Sequence, residues 1–268
     1  MHSFLKRRQP GAADPPGSQG GAKARNHLHY FFGFLSFGAA WQLLRLAKAS
    51  PALPPPWAIA RALFYLIRDG PLLRHAAASV GILLAGMGIA VAAGAAVGLM
   101  LFRYRAFRAA AYPVIECARG IASLTLFPLL IVLFGLGASA RAFVIFWTAW
   151  PAVVLSTYGS LDVDREVIDA ARVSGAGEWQ AIFSIRIPMA AQGIMTGIRI
   201  AMGGAWIALI PAEMLGASKG LGYFLLWSTQ SFEFEKAYAT ILSIAAVGGM
   251  MNLLLILLQK KLYLLAGG

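Results

Sequence analysis

Charge is scarce in this sequence, and acid is scarcer than base. Only 13% of the 268 residues are charged, with 11 Asp and Glu against 23 Lys and Arg. A soluble domain carries about 25% charged and 45–50% apolar residues. Here the apolar share is 59% and the mean hydropathy is +0.69. One soluble core cannot use that much apolar surface, so most of it faces lipid or other membrane helices. Disorder of the whole chain and a collagen-like repeat are excluded on the same ground. Cysteine is all but missing: Cys117 stands alone, so no intrachain disulfide exists and a disulfide-framed secreted fold is excluded. Histidine is nearly as rare, at His2, His27, His29 and His75. That set is too scattered for the His, Asp and Glu cluster a membrane enzyme needs at one membrane face. No metal-ligand spacing and no nucleophile–base pair occurs, so no catalytic or metal-binding residue is assigned. A Gly-rich loop ending in Lys and Ser or Thr is also missing, so nothing in this chain cradles ATP phosphates. The net charge of +12 lacks zinc-finger spacing and interleaved aromatics, and is read as membrane-protein bias rather than nucleic-acid binding.

What is abundant is the uncharged run. Such runs extend from Asn26 to Leu44, Ala76 to Phe102, Gly120 to Ala140, Ala142 to Leu161 and Ala237 to Gln259. Each can cross a hydrocarbon core of about 30 Å, which takes about 20 helical residues. A sixth run, Ile187 to Ala212, is interrupted only by Arg199. The expectation is an all-α polytopic membrane protein with six transmembrane helices. Residues 1–25 read as a disordered polar tail, 26–50 as the first span, 51–75 as an external amphipathic segment, 76–261 as the membrane core and 262–268 as a second tail. Within the external segment the prolines at 51 and 54–56 break the chain, and Trp57 to Arg68 predicts a short interfacial helix. Gly94 and Gly98 stand four apart in the second span; they either permit close helix contact or reflect the general frequency of Gly in membrane helices.

Basic residues set the orientation. Lys6, Arg7, Arg8, Lys23, Arg25, Arg103, Arg105, Arg108, Arg165, Arg172, Arg186, Lys260 and Lys261 fall on one side of a six-span chain. The shorter set Lys48, Arg61, Arg68, Arg74, Arg141, Lys219 and Lys236 falls on the other. The richer side is cytoplasmic, and both termini point there.

The polar stretch after Leu161, LDVDREVIDAARVSGAGEWQAIFSIRIP, stands out from everything around it. Asp162 caps a helix start, Asp164 and Glu166 suit its first turn, and Gly175 with Gly177 ends it. A second short helix is expected from Glu178 to Ile185, with Pro188 leading into the fifth span. Two short helices joined by glycines form a projecting element, and small residues at Ala170, Ala171 and Gly175 suit a partner groove.

This segment resembles the cytoplasmic loop of the membrane-spanning subunits of bacterial ABC importers. The family's Glu-Ala-Ala, Gly, Ile, Leu-Pro motif stands here as Asp169, Ala170, Ala171, Gly175, Ile185, Ile187 and Pro188, with the spacing kept and Asp for Glu and Ile for Leu. The resemblance runs from about Pro51 to Lys261. It is strongest toward the group importing nitrate, taurine, aliphatic sulfonates, bicarbonate and some vitamin precursors, through TGIRIAMGGAWIALIPAEMLGASKGLGY at 196–223 and LTLFPLLIVLFGLGASAR at 124–141. It implies a type I ABC importer permease fold in the bacterial inner membrane, with no cofactor of its own. ATP is then bound and hydrolysed by two separate ABC ATPase subunits that receive the 162–188 loop. A second permease copy, a periplasmic or lipid-anchored substrate-binding protein and membrane lipids complete the partner set; no nucleic acid belongs to it. The tail KKLYLLAGG and the stretch ahead of Pro128, with Ser123 and Thr125, depart from the group's pattern.

Candidate residues of the translocation path are Ser123, Thr125, Arg199 and Trp206. Arg199 reads either as an anion-attracting group or as a snorkelling side chain. Glu213, at the outer end of the fifth span, reads as a holder of the Gly-rich segment or as a contact for the binding protein. Glu116 and Arg119, three apart, read as a local ion pair; His75 reads as part of a helix cap. The substrate is ordered as small anions first and uncharged vitamin or pyrimidine precursors second. An ion-gradient-driven secondary transporter is the rival mechanism.

Overall fold

The computed structural model describes residues 36, 38, 40–43, 46, 52–162, 173, 177, 180 and 182–265. The chain divides into two compact units, residues 1–56 and 57–268. In the first, the described positions from 36 to 46 are helical, and the Trp41 indole N–H donates to the Pro54 carbonyl at 3.1 Å. The rest of the expected first span lies outside the described residues.

Every regular element among the second unit's described residues is a helix. Helix α1 (Pro56–Arg68) buries Ile59 and Leu66 and leaves Trp57, Phe64, Tyr65 and Ile67 exposed. Rings turned outward on a short amphipathic helix suit a membrane interface. Helix α2 (Leu72–Arg103) then runs for 32 residues, long enough to cross a bilayer at a tilt. It begins four residues earlier than the uncharged run, with Arg74 exposed in the first turn and His75 stacked on Phe224.

Glycines decide what α2 packs against. A methyl group built on Gly86 would meet Ile145, one on Gly94 would meet Val153, and one on Gly98 would meet Thr157, all at 2.7–2.8 Å. These partners lie on α5 (Ala138–Ser160). As the α2 number climbs, the α5 number climbs with it, so the two helices run parallel. Gly88 meets nothing within 4 Å. The glycine effect is therefore specific to one stripe, the small-residue packing that lets membrane helices approach closely.

Parallel neighbours require the intervening chain to cross back. It does so as a broken span. Helix α3 (Arg105–Gly120) follows α2 after the single extended residue Tyr104. A short 3-10 turn, Ser123–Leu126, then leads into α4 (Phe127–Phe134). The two halves meet at 86°. Gly135, at φ 75°, ends α4 in a left-handed conformation that favours glycine, and its N–H donates to Ile131. Named by the orientation expected from the basic residues, the inner half is held by Leu101, Ile115 and Val154. The outer half is held by Phe127, Leu130, Ala140, Val144, Ala208 and Ala212.

The remaining crossings alternate. Helix α6 (Ile187–Gly216) lies antiparallel to α5, with Gly204 against Thr148, Gly197 against Ser156 and Gly193 against Ser160. Helix α7 (Leu221–Gln230) is too short to cross. Helix α8 (Phe234–Leu265) lies antiparallel to α6, with Gly248 against Trp206, and the Gln259 amide donating to Thr196 at 2.8 Å. The described residues thus supply four long apolar helices and one broken span.

Three expectations change. The third span is not a continuous helix over Gly120 to Ala140: helix begins at Arg105, breaks after Gly120 and ends at Phe134. Counting uncharged residues missed its inner half because that half is amphipathic, carrying Arg105, Arg108, Glu116 and Arg119 on one face. Ile185 does not close a separate helix, because Ile182–Arg186 forms a π-turn that continues straight into α6. Helix α7 had no counterpart among the expected elements.

Candidate functional site

The break in the third span opens a cavity of about 320 Å³. The end of α3 contributes Ala118 and Arg119, and the break itself Ile121, Ala122, Ser123 and Leu124. Helix α5 contributes Trp147, Thr148 and Pro151, and α6 contributes Gly204, Ile207, Ala208 and Pro211. Thr148 and Gly204 lie near the middles of α5 and α6, so the cavity sits at mid-depth. Its walls are mostly apolar, with a few polar groups converging. The Thr148 hydroxyl donates to the Val144 carbonyl at 2.8 Å and shares a hydrogen bond with the Ser123 hydroxyl at 2.7 Å. The Trp147 indole reaches the Ile121 carbonyl at 3.4 Å. Arg119 pairs with Glu116 at 2.9 Å. A pocket of this size with few oriented polar groups suits a small solute.

A second constellation closes the outer end. Glu213 is fully buried near the end of α6. Its carboxylate accepts the Ser79 hydroxyl at 2.7 Å and the Gly222 N–H at 2.8 Å. Ser79 Oγ in turn accepts the Leu221 N–H at 2.8 Å, and His75 Nδ1 accepts the Gly220 N–H at 3.1 Å. The first three amides of the α7 start are thereby held by side chains from α2 and α6. The Glu213 side chain occupies the space a Cβ on Gly220 would need, and Gly220 itself has φ 130°. Arg141 adds a nearby positive charge and donates to the Gly137 carbonyl at 3.2 Å.

At the inner end, the Arg186 guanidinium donates to the Leu161 carbonyl at 2.8 Å and lies 4.8 Å over the Phe102 ring. One side chain therefore ties the start of α6 to the ends of α5 and α2, on either side of the polar loop.

Residues 86–263 match the family described as the binding-protein-dependent transport system inner membrane component. The chain belongs to this family. A probable ABC transporter permease protein of Brucella melitensis is 31% identical over 83% of this chain and 90% of its own length. The taurine transport system permease protein TauC of Escherichia coli is 29% identical, over 83% of each chain. The bicarbonate transport system permease protein CmpB of Synechocystis is 30% identical, over 85% of this chain and 86% of its own. Among solved structures, an inward-facing form of the MetNI methionine ABC transporter superposes with a TM-score of 0.61 at 15% identity, covering 74% of this chain and 96% of that one. The fold is that of a type I ABC importer permease.

Of the path residues singled out in this permease, only Ser123 lines the cavity. Thr125 is exposed and its hydroxyl donates to the Ala122 carbonyl at 2.6 Å. Arg199 is half-buried on α6 and has no hydrogen bond or ion pair among the described residues. Trp206 is buried against Gly248 of α8. Neither lines the cavity. In the loop motif, Ile185 sits in the π-turn, with Ile187 and Pro188 opening α6; Asp169, Ala170, Ala171 and Gly175 lie outside the described residues. Sequence reasoning missed Thr148 and Ser79 altogether, and used Arg186 only as one of the basic residues that set the orientation. Their partners are remote in sequence, and nothing local distinguishes them.

Proposed function

We propose that this protein is the permease subunit of an ATP-driven importer in a bacterial inner membrane, and that it carries a small anion. The family and fold support the importer; relatives named for taurine, aliphatic sulfonates and bicarbonate support the cargo class. Six spans with both termini cytoplasmic fit the five crossings described plus the 26–44 run, and fit the distribution of base. Two copies form the path together. Two ABC ATPase subunits below them hydrolyse ATP, and a periplasmic or lipid-anchored binding protein delivers substrate from outside. Residues 162–188, with Asp169, Ala170, Ala171 and Gly175 at their centre, insert into a groove on each ATPase.

The observation that carries this reading is that α5 and α6, the helices flanking the loop, are also two walls of the mid-depth cavity. Displacement of the loop by a closing ATPase pair reaches the cavity through two rigid helices. Arg186 stiffens the junction by clamping their inner ends. The cavity then opens toward the binding protein, and reopens inward after hydrolysis. Such rigid-body alternation is the expected mode for a site at mid-membrane.

The test is ATP hydrolysis in liposomes holding the permease with its ATPase subunits, against a panel of anions and uncharged solutes offered on the binding protein. Stimulation by one solute, abolished by Gly175→Trp, supports coupling through the loop. ATPase subunits that never associate, or flux that follows an ion gradient without ATP, would sink the proposal.

A further inference from the structure

We infer that Arg119 is the anion-recognising residue of the cavity, and that Glu116 holds its guanidinium until an anionic substrate takes over that role. The inference rests on the permease reading above and names the group within the path that reads charge.

Four observations support it. Arg119 lines the cavity at the break of the third span, level with the middles of α5 and α6. An ionisable side chain at that depth is costly unless it meets a partner or water, and such residues mark substrate pathways. Its pairing with Glu116 at 2.9 Å is not that of an enclosed structural pair, for the two side chains are 61% and 33% exposed. The guanidinium therefore remains open to a second ligand. A carboxylate or sulfonate offers the same kind of oxygens as Glu116, so exchange keeps the guanidinium compensated while the Glu116 carboxylate, one-third exposed, turns to water. Finally, the Ser123–Thr148 hydroxyl pair faces the same cavity and can turn an O–H toward an anion oxygen. The small volume and the apolar walls from Trp147, Ile207 and Pro211 favour a compact anion with a short apolar part over a large polyanion. Arg199, which the sequence left open between an anion-attracting group and a snorkelling side chain, does not line this space.

The native cysteine makes a charge-replacement test direct. In a Cys117→Ser permease assembled with cysteine-free partner subunits, Arg119→Cys is expected to lower ATP-driven uptake of ethanesulfonate, taurine or bicarbonate about tenfold or more, the scale of one charge-assisted hydrogen bond. Reaction with a cationic aminoethyl thiosulfonate reagent restores most of that uptake; an anionic sulfonatoethyl reagent does not. Arg119→Cys co-purifies with the ATPase subunits as the parent does and elutes as the same complex, which separates loss of recognition from loss of folding. Glu116→Gln lowers KM for the anion several-fold. Uptake by Arg119→Cys within twofold of the parent overturns the inference, as does equal response to the two reagents. An unchanged or raised KM in Glu116→Gln overturns the role of Glu116. If the parent complex moves only uncharged solutes, the anion assignment falls and this inference with it; if it shows no ATP-driven flux at all, the permease reading itself fails.

Discussion

Glu213 shows how much one side chain organises. Removing a fully buried carboxylate from this permease leaves the Ser79 hydroxyl and the Gly222 N–H without their acceptor. Unpaired buried groups cost about 1–3 kcal/mol each. Glu213→Ala is expected to destabilise the outer end by about 3 kcal/mol, seen as a lower Tm in detergent and faster proteolysis around 217–220. Ser79→Ala should have a smaller effect of the same kind, because the Leu221 amide and the Glu213 carboxylate each lose one partner while Gly222 keeps its own. Gly222→Ala should behave like the Glu213 variant, since its Cβ falls 2.9 Å from the Glu213 Cβ and against the Ile210 carbonyl. The sequence pointed to Glu213 and to the Gly-rich segment beside it. It left His75 as a cap residue, because the amide that His75 receives lies 145 positions away.

Elements were legible to different degrees. Long apolar helices announce themselves, and α2, α5, α6 and α8 all overlap runs counted from composition. The broken third span did not, because a count that stops at each charge divides an amphipathic helix from the apolar helix that completes it. The glycines of α2 sort by face only once α5 is beside them. Gly94→Ala is expected to cost about 1–3 kcal/mol, the scale of overpacking a close contact, because its Cβ falls 2.8 Å from Val153. Gly88→Ala, with nothing within 4 Å, should be neutral or slightly stabilising through helix propensity. Comparison of the two variants by thermal unfolding tests the parallel packing of α2 on α5. Equal losses would sink it.

At the scale of the whole molecule, direction matters more than number of spans. With α2 parallel to α5, and α6 and α8 alternating after it, positions 104 and 160 share one side with 261, while 137 and 219 share the other. Single cysteines placed there in a Cys117→Ser background should label from opposite sides with a membrane-impermeant thiol reagent. Labelling of 104 and 137 from the same side would mean that α3 and α4 form a re-entrant loop. Arg186 belongs to this scale because it joins three helices. Arg186→Ala loses a charge-assisted hydrogen bond worth about 1.5–3 kcal/mol; transport per ATP is expected to fall while basal hydrolysis persists, as measured by paired uptake and phosphate-release assays.

By itself the sequence determined the solvent, the helical class and the approximate positions of the apolar spans, while its resemblance to a known family around Asp169 to Pro188 implied the kind of transporter. Those properties depend on composition and on contacts short in sequence. The tertiary structure alone decided which helices run parallel, where the third span breaks and which polar groups meet there. Ser123 and Thr148, Ser79 and Glu213, and Arg119 with the walls around it come together through helix packing, which depends on which face each helix turns to its neighbours. A linear sequence does not carry that information in any one segment, because each face is chosen by a partner far away along the chain.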